Sequence, residues 1–276
     1  MSKVYQIVTD RIIQRMQTGV VPWRRPWVRN GAVSWDRQRP YRGINALLLE
    51  PGEYATYKAI QEAGGQIKKS EKSTPVVFWK WLEKGDPDTG EVERIPYLRY
   101  YSVFEINTQA EGLKSHRPEE VSFEHSPIIE AEKIRNGYAN CPPIQFNPSR
   151  ACYKPREDLI SIPEIADFPH PDEYYNTLFH EMTHSTGHPS RLARKGIDEI
   201  AAFGSDPYAR EELVAEIGAA MLSGVAGISN DRNQDNSAAY LNNWIRRLKE
   251  DPRMIVQTAA QAQKAADYIQ GITYAG

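Results

Sequence analysis

Apolar positions recur along this chain first at helical spacing, then at strand-like composition, then at helical spacing again. Val4, Ile7, Val8, Ile12, Ile13 and Met16 form one stripe of a helix that ends near Gly19. Ile44 to Leu49 is a short apolar segment, and residues 54–63 read as a helix stopped by Gly64-Gly65. Residues 74–81 and 97–106 are rich in β-branched and aromatic side chains, with a turn cluster at 85–90, and together predict a hairpin. Beyond Asn107 the pattern dissolves into a polar stretch without periodicity, which reads as a linker over 108–126. Pro127 opens a helix to about Gly137, short strands follow at 144–147, 151–153 and 158–163, and the remainder is mostly helical. The stripe Tyr240, Leu241, Trp244, Ile245, Leu248 and the alanine-rich 255–269 read as core. The pattern predicts an α+β chain: a small mixed sheet-and-helix domain over 1–107, the linker, and a mostly helical domain over 127–276.

The second domain contains His180-Glu181-Met182-Thr183-His184. Asp172 to Phe179, with acidic residues after Pro171 and apolar ones at helical spacing, supplies the preceding turns of the same helix, and Gly187 and Pro189 end it. Positions i and i+4 lie about 6 Å apart on one face, so both imidazoles can reach one ion. Glu181 is turned by about 100° and is placed to take a proton from a water held there, as in a zinc hydrolase. The competing reading is a charged helix face with two exposed histidines. His188 is a poor third ligand, since i+8 lies about 12 Å along the axis, and Ser190 is not a ligand type. The helix over 208–222 carries Glu212 and Glu216 on one face. Glu212 is the preferred third ligand, with Glu216 one turn on accepting the spare ring N–H of a ligand histidine; the reverse assignment stays open. Zinc is the expected metal, and manganese also tolerates two histidines and a carboxylate. Tyr208 and Arg191 are candidates to stabilise an oxyanion. A strand immediately before the zinc helix would offer its edge to an extended peptide, or else would be internal and cover the helix.

Charge divides the chain. Residues 1–81 hold 14 Lys/Arg against 6 Asp/Glu, and residues 82–276 hold 20 against 30. A net +8 at one end suits a polyanion. Trp23, Arg24, Arg25 and Trp27 lie in a proline-rich segment, followed by Arg39, Tyr41, Arg42, Lys68, Lys69 and Lys80. Rings that stack on exposed bases beside cations that track phosphates suit single-stranded DNA. The alternative for Trp23 and Trp27 is that they fix their loop to the core. No apolar run approaches the ~20 residues of a membrane span, and the amino terminus lacks an apolar signal region, so a cytoplasmic location without membrane partners is expected. Cys141 and Cys152 offer neither a disulfide framework nor a zinc knuckle.

Tyr41 to Leu49, the Gly64-Gly65 turn with its lysines, Val77-Phe78-Trp79-Lys80 and Val103 to Gln109 resemble the amino-terminal domain of the ArdC antirestriction proteins, which also fronts TraC-type plasmid primases. Tyr153, Asp158, His180 to His184, Arg191-Leu192, Tyr208 and Glu211 to Glu216 are similar to the zincin-like domain that follows it in that family. The resemblance implies a plasmid- or phage-encoded protein that binds single-stranded DNA and protects incoming DNA from host restriction, with a metallopeptidase-like domain attached. The alternative it leaves is a DNA-directed zinc metallopeptidase that cleaves DNA-bound proteins such as restriction-system components. A primase reading lacks any further acidic metal-binding cluster.

Overall fold

The computed structural model describes residues 3–18, 21–24, 31–85, 92–117, 127–147, 151–194, 206–228 and 238–273. The chain forms two units, one comprising Met1–Gln14 and Gly31–Glu120, the other Arg15–Asn30 and Val121–Gly276. Helix α1 (Lys3–Gln17) buries Val4, Val8, Ile12, Ile13 and Met16 of the stripe its periodicity predicts, with Ile7 half-buried.

In the first unit, β1 (Ala32–Ser34), α2 (Ile44–Leu48), β2 (Gly52–Thr56), α3 (Tyr57–Glu62) and β3 (Gln66–Ile67) precede the hairpin of β4 (Thr74–Gly85) and β5 (Val92–Glu105). Short α4 (Ile106–Gln109) and β6 (Ala110–Glu111) follow. The main sheet has the order β1-β2-β5-β4, with β1 and β2 parallel and the other pairs antiparallel. Asn45 on α2 clamps edge strand β4, its amide exchanging hydrogen bonds with the Val77 carbonyl and N–H at 2.7 Å each.

Two expectations change here. The helix placed at 54–63 begins only at Tyr57, because Tyr54 to Thr56 pair with Glu105 to Val103 and Thr56 caps the helix by accepting the Ala59 N–H. The linker expected from 108 does not begin there. Ala110 and Glu111 pair with β3, and the Ser115 hydroxyl and His116 N–H donate to Glu53, a carboxylate with no exposed surface in β2. A buried carboxylate needs such donors, and they lie in a segment whose polarity resembles a linker. Residues 118–126 lie outside the described residues.

In the second unit, α5 (Pro127–Gly137) leads to β7 (Ile144–Phe146), β8 (Cys152–Lys154) and β9 (Leu159–Ile162). These form a sheet of order β7-β9-β8. β9, the strand immediately before the histidine helix, is therefore central, and the edges belong to β7 and β8. Helices α6 (Pro171–Ser185), α7 (Asp206–Ala226), α8 (Ala238–Glu250) and α9 (Met254–Ile269) complete the unit. Pro171 at the first helical position and Asp172 and Glu173 in the first turn start α6. α7 is apolar on most sides, burying Leu213, Val214, Ala215, Ile217 and Leu222 completely, and it lies between α6 and α9. Ala259, Ala262, Ala265 and Ala266 of α9 are fully buried. No helix among the described residues is long and apolar enough to cross a membrane.

The approach of α7 to α6 depends on Gly218, where a Cβ would meet Thr183 Cγ2 at 2.5 Å. Gly218→Ala should lower unfolding stability by about 1–3 kcal/mol, as overpacking does. Gly137→Ala, which meets open space, should change it by less than about 0.5 kcal/mol. Denaturant unfolding of the two variants measures the difference.

Candidate functional site

One turn of α6 sets His180 and His184 side by side, their Nε2 atoms 3.1 Å apart. α7 brings Glu212 to both, its carboxylate oxygens 3.5 Å from His180 Nε2 and 3.6 Å from His184 Nε2. All three donors lie within 4.8 Å of one another. A tetrahedral ion with bonds of about 2.0–2.2 Å keeps its ligand atoms roughly 3.3–3.5 Å apart. The donor set, two imidazoles and a carboxylate, therefore fits zinc or manganese in both chemistry and spacing. Of the two glutamates weighed, Glu212 is the one brought to the histidines. Burial opposes its ionisation, but the hydrogen bond from His180, the proximity of the two imidazoles and the hydrogen bond from Tyr208 lower its carboxyl to about 2. His188 stands apart, against Ser190 and 4.0 Å from Asp158.

The spare nitrogen of His184 meets a residue the sequence reading did not assign. Glu211 Oε1 lies 3.2 Å from His184 Nδ1, and Arg194 grips the same carboxylate at 2.6 and 3.1 Å. Arg194 is buried and also donates to the Thr186 hydroxyl and the Thr183 carbonyl. Burial works against ionised Glu211, yet His184 and Arg194 lower its pKa. An ionised carboxylate at Nδ1 fixes the proton there and leaves the Nε2 lone pair toward the donor cluster. Glu216, expected in this role, instead accepts from the Trp23 indole at 3.0 Å and the Tyr240 hydroxyl at 2.5 Å. The reason is rotational: Glu211 and Glu216 are five residues apart, so they leave α7 in different directions. Adjacent acids at 211 and 212 were the available signal, and nothing in the sequence paired them with Arg194.

Glu181 is 7% exposed and accepts the Tyr153 backbone N–H at 2.6 Å. Edge strand β8 thus holds the carboxylate through one backbone N–H. β8 is fixed in turn by the Tyr153 hydroxyl, which donates to Asp158 at 2.7 Å. Asp158 forms an ion pair with Arg191, which also donates to the Tyr153 hydroxyl and to the Ser185 and Asn140 carbonyls. Arg191 is therefore committed to positioning rather than to an oxyanion. Tyr208, one turn before Glu212, hydrogen-bonds that carboxylate.

The residues read as DNA-binding are dispersed. Trp23 is fully buried in the second unit, bonded to Glu216 and edge-on to Trp244 with ring centres 6.1 Å apart, so it anchors its segment and has no face for a base. The Arg24 side chain, Arg25 and Trp27 lie outside the described residues. Arg39 and Tyr41 line one cleft in the first unit. Arg42 follows half-buried, and Lys80 is exposed on β4. Lys68 and Lys69 are exposed beyond β3, where the Lys68 ammonium donates to the Thr108 carbonyl at 2.8 Å.

Residues 2–104 match the family described as the N-terminal domain of anti-restriction factor ArdC, and residues 136–261 match the zincin-like metallopeptidases. The crystal structures of the antirestriction ArdC protein from plasmid R388 are similar throughout. The metal-free form is 36% identical, with a TM-score of 0.76 over 99% of this chain and 100% of that one. The Mn(II)-bound form gives 0.75, covering 98% of each chain. A DNA primase TraC of Escherichia coli is 35% identical over 96% of this chain, which spans 27% of that primase. The uncharacterized protein y4eC of Sinorhizobium fredii is 32% identical over 96% of this chain and 91% of its own length.

Glu211→Gln keeps the bulk and removes the charge behind His184. It should weaken binding of Zn2+ or Mn2+ by about 10- to 100-fold in a calorimetric titration. Hydrogen bonds from Arg191 hold the Asp158 carboxyl below its usual range against the effect of burial. Its stabilising contribution is then present above the unfolded carboxylate pKa and lost as pH falls through the lowered folded value. Asp158→Asn, which suits the positive φ of 46° at that position, should flatten the fall in Tm between about pH 5 and pH 3.

Proposed function

The chain belongs to the ArdC antirestriction family, and from that premise we propose that it binds single-stranded DNA through its first unit and protects entering plasmid or phage DNA from restriction in the cytoplasm. The observation that carries this reading is the cluster of open rings on the β4–β5 ribbon, Phe78, Trp79, Tyr100 and Tyr101 at 39–47% exposed, with exposed Lys80 and Arg99 on the same two strands. Cations beside open rings suit an unpaired strand, whose bases are free to stack. Bound along its length, such a strand is withheld from enzymes that must reach it.

The second unit supports a peptidase-like role on the same DNA. His180, His184 and Glu212 would hold the metal, which when bound polarises a water and a peptide carbonyl. Glu181, with one oxygen held by the Tyr153 N–H, has the other to receive a proton and return it to the leaving amine. Tyr208 would turn its one O–H from the Glu212 carboxylate to the oxyanion. The buried, strand-anchored Glu181 favours a second reading, in which proteins bound to the DNA, such as restriction-system components, are cleaved.

The two readings separate in plasmid entry into a restricting host, comparing wild type, Glu181→Gln and empty vector at matched expression. Glu181→Gln should protect as well as wild type if coating the strand is the protective step. Loss of protection by a variant that still binds single-stranded DNA transfers the function to proteolysis. A wild type that gives no protection sinks both.

A further inference from the structure

Phe78 and Tyr101 are large apolar side chains that the core of the first unit does not use. The pairing of β4 with β5 sets Val76 opposite Tyr101 and Phe78 opposite Arg99, so these four share one face of the ribbon. At Val76 and Val103 that face is core, packed with Leu49 and Tyr54 and covered by Tyr41. Farther along it becomes surface: Phe78 and Tyr101 are each 39% exposed, with ring centres 5.6 Å apart. The hydroxyls of Tyr41 and Tyr101 are hydrogen-bonded, which ties the exposed rings to the buried ones.

Beside Tyr101 the sheet is incomplete. The pairing of β2 with β5 stops at Thr56 opposite Val103. A cleft of about 430 Å³ opens there, lined by Arg37, Arg39, Tyr41, Thr56 and Tyr101 among others. Arg37, paired with Asp36 of the same cleft at 3.4 Å, and Arg39 are exposed, and Arg99 and Lys80 continue the positive charge beside Phe78. An aromatic wall with guanidinium groups at its rim matches one nucleotide: a flat base and an anionic phosphate.

We propose that this face is the track on which single-stranded DNA lies. One nucleotide enters the cleft with its base against Tyr101 and its phosphate on Arg37 and Arg39; the neighbouring base stacks on Phe78, with Arg99 and Lys80 toward its phosphate. The inference rests on the single-stranded DNA reading above and adds the face, the cleft and the residues. The opposite face of the same ribbon, where Trp79 and Tyr100 are 47% exposed, is not part of the track.

The test is binding of a fluorescein-labelled 20-nucleotide oligo-dT to the full chain by anisotropy across a salt series. Tyr101→Ala and Phe78→Ala should each weaken binding by about 5- to 150-fold. Tyr101→Phe, which keeps the ring, should restore it to within about two-fold. Arg39→Ala should lower the salt slope by about one, and Trp79→Ala should change affinity by less than about two-fold. With an oligonucleotide carrying 5-iodouracil, photocrosslinks should fall on Tyr101 or Phe78. If wild type binds while Trp79→Ala alone is impaired, or crosslinks map to Trp79 or Tyr100, the face is wrong and DNA binding survives. If all variants match wild type, the track is overturned in the same way. If wild type fails to bind oligo-dT, the DNA reading itself falls and the track with it.

Discussion

A buried carboxylate must be paired, because the cost of desolvating it amounts to several kcal/mol and removing a partner from a buried pair costs about 3–5 kcal/mol. α7 carries three glutamates on a helix otherwise apolar on most sides, and the second unit is arranged around where each one finds its partners. Glu211 finds Arg194 and His184. Glu212 finds both histidines. Glu216 finds Trp23 and Tyr240. The segment from Thr183 to Arg194 is thereby tied to α7, and Trp23 is drawn into the core beside Trp244.

The chemistry of the site follows from the same constraint. Three elements meet at it, each fixing one degree of freedom. α6 sets the two imidazoles by helical repeat, α7 sets the third donor through the close approach at Gly218, and β8 sets Glu181 through one backbone N–H. Arg191 and Asp158 keep β8 in place from behind. A donor set held this way needs little reorganisation to receive an ion, which is what a site built on rigid elements offers over one built on loops.

The first unit solves a different problem with the same rule. Glu53 is buried in the middle of a sheet, and the donors it needs come from Gln38 and from Ser115 and His116. That requirement folds a polar segment back onto the sheet. Strand alternation then leaves one face of the β4–β5 ribbon continuous with the core at Val76 and Val103 and rich in rings and cations beyond it, while the other face buries Val77 and Leu98 and exposes Trp79 and Tyr100.

Helical and strand periods, composition and short motifs are local properties, and they were legible. The α1 stripe, the β4–β5 hairpin, the α6 and α7 helices and the histidine pair at i and i+4 all follow from residues near one another in sequence. What sequence could not supply were pairings between distant residues. Strand order made β9 internal and β8 the edge. Rotation about α7 gave the His184 partner to Glu211 instead of Glu216, although the two lie five residues apart on one helix. Burial turned Trp23 from an apparent base-stacking ring into an anchor, and Glu53 drew the expected linker into a domain. Each depends on which buried polar group must be satisfied by which remote donor. The sequence by itself determined the elements and the kinds of chemistry they carry; only the tertiary structure decided the partners, because desolvation is a property of the assembled core.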